Sequence, residues 1–130
     1  MDGTVLVIDA DLHARTVAET LLRLRDVRVR SAPTAGDAST IVRRENVAVL
    51  VLDVSSPGTH GFEVLRELRG RFSQLRIIVI ADWEEAAVEH LARRLGADAF
   101  LRKPLSPSVL VRTVEEQLAT AASGFGSPAR

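Results

Sequence analysis

The chain has 130 residues, with 17 basic side chains against 17 acidic, an apolar share of 46% and a charged share of 26%. That length suits one domain with a sizeable core, and the balanced charge carries none of the basic bias of a nucleic-acid-binding domain, so nucleic acid is not an expected direct partner. With no cysteine, disulfides, thiolate chemistry and cysteine-ligated zinc are excluded; with neither a leader nor an apolar run near the roughly 18 residues of a membrane span, the expected location is the cytoplasm.

Five short apolar, β-branched runs punctuate the chain: Thr4 to Ile8, Val27 to Val29, Ala48 to Leu52, Arg76 to Ile80 and Ala99 to Leu101. Helix-length patterns separate them. After the first run, Val17 and Leu21 repeat at i, i+4 beside Ala18 and Leu22, the stripe of a helix laid on a sheet. The second helix is expected near Thr34, where Thr34 and Asp37 have capping-box spacing ahead of Ala38, Ile41 and Val42. Gly61 opens the third, with Phe62, Leu65 and Leu68 inward and Glu67 and Arg71 paired at i, i+4 outside. Asp82 and Glu85 suggest the cap of a fourth, whose inner line is Val88, Leu91 and Leu95 and whose stop is Gly96. Ser106 followed by Pro107 is the start signature of a fifth, carried by Leu110, Val114 and Leu118.

Strict alternation of strand and helix, with near-continuous apolar central strands, is the pattern of a parallel sheet covered on both faces. The expected fold class is therefore α/β. Right-handed crossovers make five parallel strands compatible with the order 2-1-3-4-5, whose switch point places a crevice at the carboxyl ends of strands 1 and 3. One domain is expected over residues 1–120. Residues 121–130, small and unpatterned, read as a disordered tail or linker stump.

The charged residues coincide with that crevice. Asp9 follows the first run, Asp53 the third, and Lys103, the sole lysine among 17 basic residues, the fifth. Two carboxylates and a compact ammonium at adjacent strand ends suggest either an ion-pair network or a site for metal and phosphate. The histidines His13, His60 and His90 lie on separate segments without metal-ligand spacing, so solvated surface is expected for them. Arg93 and Arg94 read as an ordinary solvated face.

Three segments at this spacing resemble the receiver domains of two-component response regulators. VLVID ends in that family's first acidic position at Asp9; VLVLDVSSPGTHGFEVLREL is similar to its acceptor strand, loop and third helix; LGADAFLRKPL is similar to its fifth strand. The resemblance, spanning Thr4 to about Thr120, implies Asp53 as phosphoacceptor and Lys103 as its catalytic partner. It implies Pro57 and Gly58 in the acceptor loop, Phe100 at the switch-aromatic position and Pro104 after a cis bond. It also implies magnesium held by Asp9, Asp53 and the Ser55 backbone carbonyl. The partners implied are a histidine kinase or phosphotransfer protein, an output domain or partner protein on the face of helix 4, strand 5 and helix 5, and a homodimer.

Two positions depart from the family. Ala10 replaces the second acid after strand 1, which predicts weak magnesium binding, with Asp11 as either a substitute ligand or simply the N-cap of the first helix. Ala81 replaces the switch hydroxyl at the end of strand 4, predicting poor readout of phosphorylation. Trp83, just after that strand, is either a partner anchor or a ring folded over the helix start. A phosphorylation-independent interaction module is therefore the alternative reading. A phosphatase of the haloacid-dehalogenase type, with Asp9 as nucleophile and Asp11 as acid/base, is disfavoured because Leu12 and His13 follow and no later acidic pair ends a strand. A flavin site is disfavoured because no hydroxyl-rich loop follows strand 1.

Overall fold

A computed structural model of the chain describes residues 3–55, 60–82 and 86–123. Strand and helix alternate throughout: β1 (Thr4–Ile8), α1 (Leu12–Arg23), β2 (Arg28–Ala32), α2 (Ala38–Arg44), β3 (Val47–Asp53), α3 (Gly61–Arg71), β4 (Arg76–Ala81), α4 (Ala86–Leu95), β5 (Ala99–Arg102) and α5 (Pro107–Ser123). All neighbouring strands pair in parallel, in the order β2-β1-β3-β4-β5. The expected α/β topology is the one observed.

Strand periodicity divides the core into two layers. Leu6, Ile8, Leu50, Leu52, Ile77 and Val79 pack on one side with Ala38, Val42, Leu65, Leu68 and Ala92, from α2, α3 and α4. Val5, Val7, Val49, Val51, Ile78 and Ile80 pack on the other with Ala18, Leu22, Leu110, Val114 and Leu118, from α1 and α5. Because β1, β3 and β4 are covered on both faces, their sequences contain almost no alternation.

Several boundaries differ from the sequence reading. The second strand runs from Arg28 to Ala32 rather than from Val27 to Val29: Arg28 to Ala32 register on β1, and an edge strand needs apolar residues on only one face. The second helix starts at Ala38. Thr34 Oγ1 accepts the Gly36 N–H at 3.5 Å within a turn, and Asp37 makes no side-chain cap bond, so the capping box does not form. On α1 the buried pair is Ala18 and Leu22, whereas Val17 is exposed. On α4 the fully buried residue is Ala92, with Val88 and Leu95 half-buried beside it and Leu91 exposed; the true stripe falls one residue later than Leu91. The fifth helix continues through Ser123, so 121–123, read as tail, are helical; Ala119, Ala121 and Ala122 are strong helix formers. Pro57, Gly58, Trp83, Glu85 and residues 124–130 lie outside the described residues.

Far from the strand carboxyl ends, one side chain joins three elements. Arg69, on α3, donates to the carbonyls of Phe72, Ser73 and Leu75 and to that of Gly96, and pairs with Asp98 at 2.6 Å. Asp98 in turn accepts the Ile77 N–H at 2.8 Å, at the start of β4. Gly96 has φ of 122°, and a Cβ there would come within 2.6 Å of Arg69, so this residue ends α4 as glycine for two independent reasons.

Candidate functional site

Parallel strands deliver their carboxyl ends to one edge, and the site is assembled there. Asp9 directly follows β1, Asp53 is the last residue of β3, and Lys103 directly follows β5. Asp53 is 1% exposed and Asp9 6% exposed. Lys103 Nζ lies 2.5 Å from Asp53 Oδ2, while Asp53 Oδ1 accepts the Ser55 N–H at 2.8 Å. The acid on β3 is thus bonded at both oxygens.

Asp9 is held differently. Its Oδ1 accepts the Asp11 N–H at 2.9 Å, and its backbone carbonyl accepts from the Arg15 guanidinium at 2.7 Å, fastening the end of β1 to the first turn of α1. Burial pushes the Asp9 carboxyl above its ordinary value; the Asp11 amide and the Lys103 charge oppose this, and the Asp53 carboxylate adds to it. For Lys103, burial works against the charged form, but the bond to Asp53 and the charges of Asp53, Asp9 and Asp82 outweigh it, and its pKa rises. Both directions express one arrangement, two acids sharing one cation.

The surrounding backbone is equally determined. The Lys103 N–H donates to the Ala81 carbonyl at 2.9 Å, and the peptide from Lys103 to Pro104 is cis, as the family resemblance implies. Gly61, where α3 begins, lies against the residue after Asp53: a Cβ there would sit 2.5 Å from Val54 Cα, so the close approach requires glycine. His60, which precedes it, has φ of 49°.

The remaining sequence candidates separate clearly. Asp11 Oδ1 accepts the N–H groups of His13 at 2.8 Å and Ala14 at 3.3 Å, so Asp11 is the N-cap of α1, and among the described residues no three acidic or histidine side chains group as a metal cluster. Ala10 is exposed and contributes no oxygen from its side chain. Ala81 is completely buried in the apolar layer beneath α2, α3 and α4, and Phe100 packs half-buried on that same layer. His13, His60 and His90 are exposed, and Arg93 pairs with Glu89 on α4.

Three features escaped the sequence reading. The Ser55 hydroxyl accepts the Asp82 N–H at 2.8 Å, a link between the β3 and β4 carboxyl ends. Asp82 adds its charge to the field at Lys103. A cavity of about 620 Å³ runs from Asp9, Asp53 and Lys103 along Val17, Leu21 and Leu110, between α1 and α5. Each depends on which face of a loop or helix a residue occupies, which spacing alone does not specify.

The geometry defines a doubly wound α/β domain that gathers two buried acids and a lysine at the carboxyl edge of its sheet. A model of the response regulator receiver domain matches residues 5–115, and the chain belongs to that family. Among curated relatives it is 33% identical over 130 residues to the transcriptional regulatory protein AfsQ1 of Streptomyces coelicolor, covering 95% of this chain and 57% of that protein. It is 32% identical over 127 residues to the probable transcriptional regulator ycf27 of Porphyridium aerugineum, covering 95% and 52%. The chain therefore spans about half the length of the curated relatives it matches. Among solved structures, a CheY-like receiver domain protein from Methanospirillum hungatei has a TM-score of 0.86 at 21% identity, covering 95% of this chain and 99% of that one. NtrX from Brucella abortus has a TM-score of 0.87 at 23% identity, covering 97% and 29%. These likenesses show the shared fold. The family is a signalling family of two-component systems, and no helix among the described residues is long and apolar enough to cross a membrane.

Proposed function

We propose that this receiver domain accepts a phosphoryl group on Asp53. The observation that carries the reading is the Asp53 carboxylate, buried at the switch point yet bordering the cavity, with Lys103 Nζ 2.5 Å from Oδ2. A carboxylate oxygen attacks the phosphorus of a donor phosphohistidine, the phosphorus–nitrogen bond breaks, and the imidazole leaves with its electron pair and takes up a proton. Negative charge spreads over the transferring oxygens, and Lys103 is placed to meet it. As the only lysine, and one whose raised pKa keeps it charged, it supplies a compact cation where an arginine fork would be bulkier.

The donor set fits a magnesium ion: the Asp9 and Asp53 carboxylates are hard oxygen ligands whose mutual repulsion a dication relieves, and the Ser55 carbonyl completes a protein set of three. Bound there, the ion would neutralise phosphoryl oxygens. With Ala10 in place of an acid and Asp11 turned to the helix cap, the protein offers few anionic ligands, which supports weak binding. Ala81 supports weak switching, since the buried methyl has no hydrogen to donate.

The donor is a histidine kinase or phosphotransfer protein. Of the exposed large apolar residues, Leu12, Val17 and Leu24 lie on α1 or at its end, and Val17 borders the cavity, so a donor helix is proposed to pack on the α1 side of the site. Output contacts, to an attached domain, a partner protein or a second copy, are assigned to the face of α4, β5 and α5, where Arg94, Arg102 and Arg112 are exposed. For this domain the reading implies a cytoplasmic setting, with neither nucleic acid nor membrane expected as its own direct partner.

Intact-mass spectrometry after incubation with magnesium and a small phosphodonor tests the reading. A single phosphate adduct on the wild type, absent in Asp53→Asn, is expected. A second reading, a phosphorylation-independent interaction module, is favoured by Ala10 and Ala81 together. It replaces the first if no adduct forms and beryllofluoride does not bind at high magnesium.

A further inference from the structure

Ser55 touches both sides of the site. Its N–H donates to Asp53 Oδ1 at 2.8 Å, and its hydroxyl oxygen accepts the Asp82 N–H, also at 2.8 Å. Asp82 directly follows Ala81, the last residue of β4, whose methyl is fully buried. One residue therefore bonds the candidate acceptor carboxylate and the first backbone group beyond β4. Among the described residues nothing accepts the hydroxyl proton of Ser55, so that hydrogen is available to an oxygen arriving on Asp53.

We infer that the Ser55 hydroxyl is a positioning group that couples the acceptor on β3 to the segment leading into α4, in the place where β4 itself presents only the Ala81 methyl. The inference rests on the reading of Asp53 as acceptor. In the unmodified protein the hydroxyl holds the Asp82 amide. When a phosphoryl group is added, one of its oxygens accepts the Ser55 hydrogen, and any displacement of Ser55 toward it moves Asp82 as well, because the hydroxyl oxygen donates to one side while accepting the Asp82 N–H from the other. The link runs through a side chain on the acceptor loop, so it needs no hydroxyl at position 81.

The test compares wild type, Ser55→Ala and Ser55→Thr by amide hydrogen exchange and by nuclear magnetic resonance with magnesium and beryllofluoride, an analogue of the phosphoryl group. Without the analogue, the Asp82 amide is expected to exchange roughly two- to tenfold faster in Ser55→Ala, the effect of one lost hydrogen bond, and to return to the wild-type rate in Ser55→Thr. With it, fluorine resonances measure how far each protein is loaded, and at equal loading shifts in α4 and β5 amides are expected in wild type and Ser55→Thr and lost in Ser55→Ala. Equal Asp82 protection in wild type and Ser55→Ala overturns the inference. So do undiminished α4 and β5 shifts in Ser55→Ala. Failure of the wild type to bind the analogue overturns instead the acceptor reading, and the tether is then decided by the exchange rates alone.

Discussion

Replacing Lys103 by methionine keeps the length of the stem and removes the charge that two acids share. Asp53 is 1% exposed and Asp9 6% exposed, so neither can turn to bulk water for compensation. Breaking a fully buried pair by removing one partner costs about 3–5 kcal/mol. The Lys103 side chain is 31% exposed, which admits some solvent screening and lowers the expected cost to about 2–4 kcal/mol. Urea denaturation at pH 7 measures this directly, with the slope checked for two-state behaviour. The loss should shrink in Lys103→Met/Asp53→Asn, because the double variant leaves a neutral amide rather than an orphaned charge. It should also shrink as magnesium is added, since a ligand that binds the folded state stabilises it by mass action. In the wild type, a raised Lys103 pKa means the pair contributes fully below the ordinary value of 10.5 and the contribution is lost as pH rises through the folded value. A stability for Lys103→Met within about 0.5 kcal/mol of wild type at pH 7 would refute the shared-cation account, since that is the scale of an ordinary surface substitution.

Asp9 carries the opposite sign. Its carboxyl titrates above 3.8 in the folded state, so stability falls as pH rises from 3.8 through the raised value, and Asp9→Asn is expected to flatten that descent in a pH series of denaturation curves. The same variant should lose the stabilisation by magnesium expected of the wild type; an unchanged magnesium response would remove Asp9 from the ligand set. Ala10→Asp restores an acid beside Asp9 and is expected to tighten magnesium by at least about tenfold in a fluorescence or calorimetric titration. Gly61→Ala forces a methyl to within 2.5 Å of the Val54 backbone and is expected to destabilise by about 1–3 kcal/mol; a neutral result would mean that the loop yields there without cost.

The sheet was legible because burial on both faces left β1, β3 and β4 as apolar runs, and the strand ends then located Asp9, Asp53 and Lys103 without any contact being known. Edges and helix faces were harder. β2 alternates Arg28, Val29 and Arg30 because only one side is covered, and so its apolar signal is short. On α4 the small Ala92 takes the buried position and the larger Leu91 faces solvent, an inversion that hydrophobicity ranks wrongly and close helix packing permits. Asp11 had two chemically sensible roles, and the choice between them turned on a rotamer that places Oδ1 over two helix amides. Ser55 was visible through its carbonyl, whereas the direction of its hydroxyl depends on how close the β4 end comes, a long-range matter.

The Arg69 junction fixes where α4 is able to turn. The helix has one fully buried residue along its length, yet its last turn leads into Gly96, whose carbonyl takes two bonds from the Arg69 guanidinium. One end is pinned to α3 and β4, while the other begins only four residues after Asp82. With the Gly96 carbonyl held, a displacement at the site that reached α4 would move Ala86 most and Leu95 least, as with a lever on a fixed pivot. Signals read from this domain should be largest at the end of α4 nearest the acid pocket and fade toward Leu95.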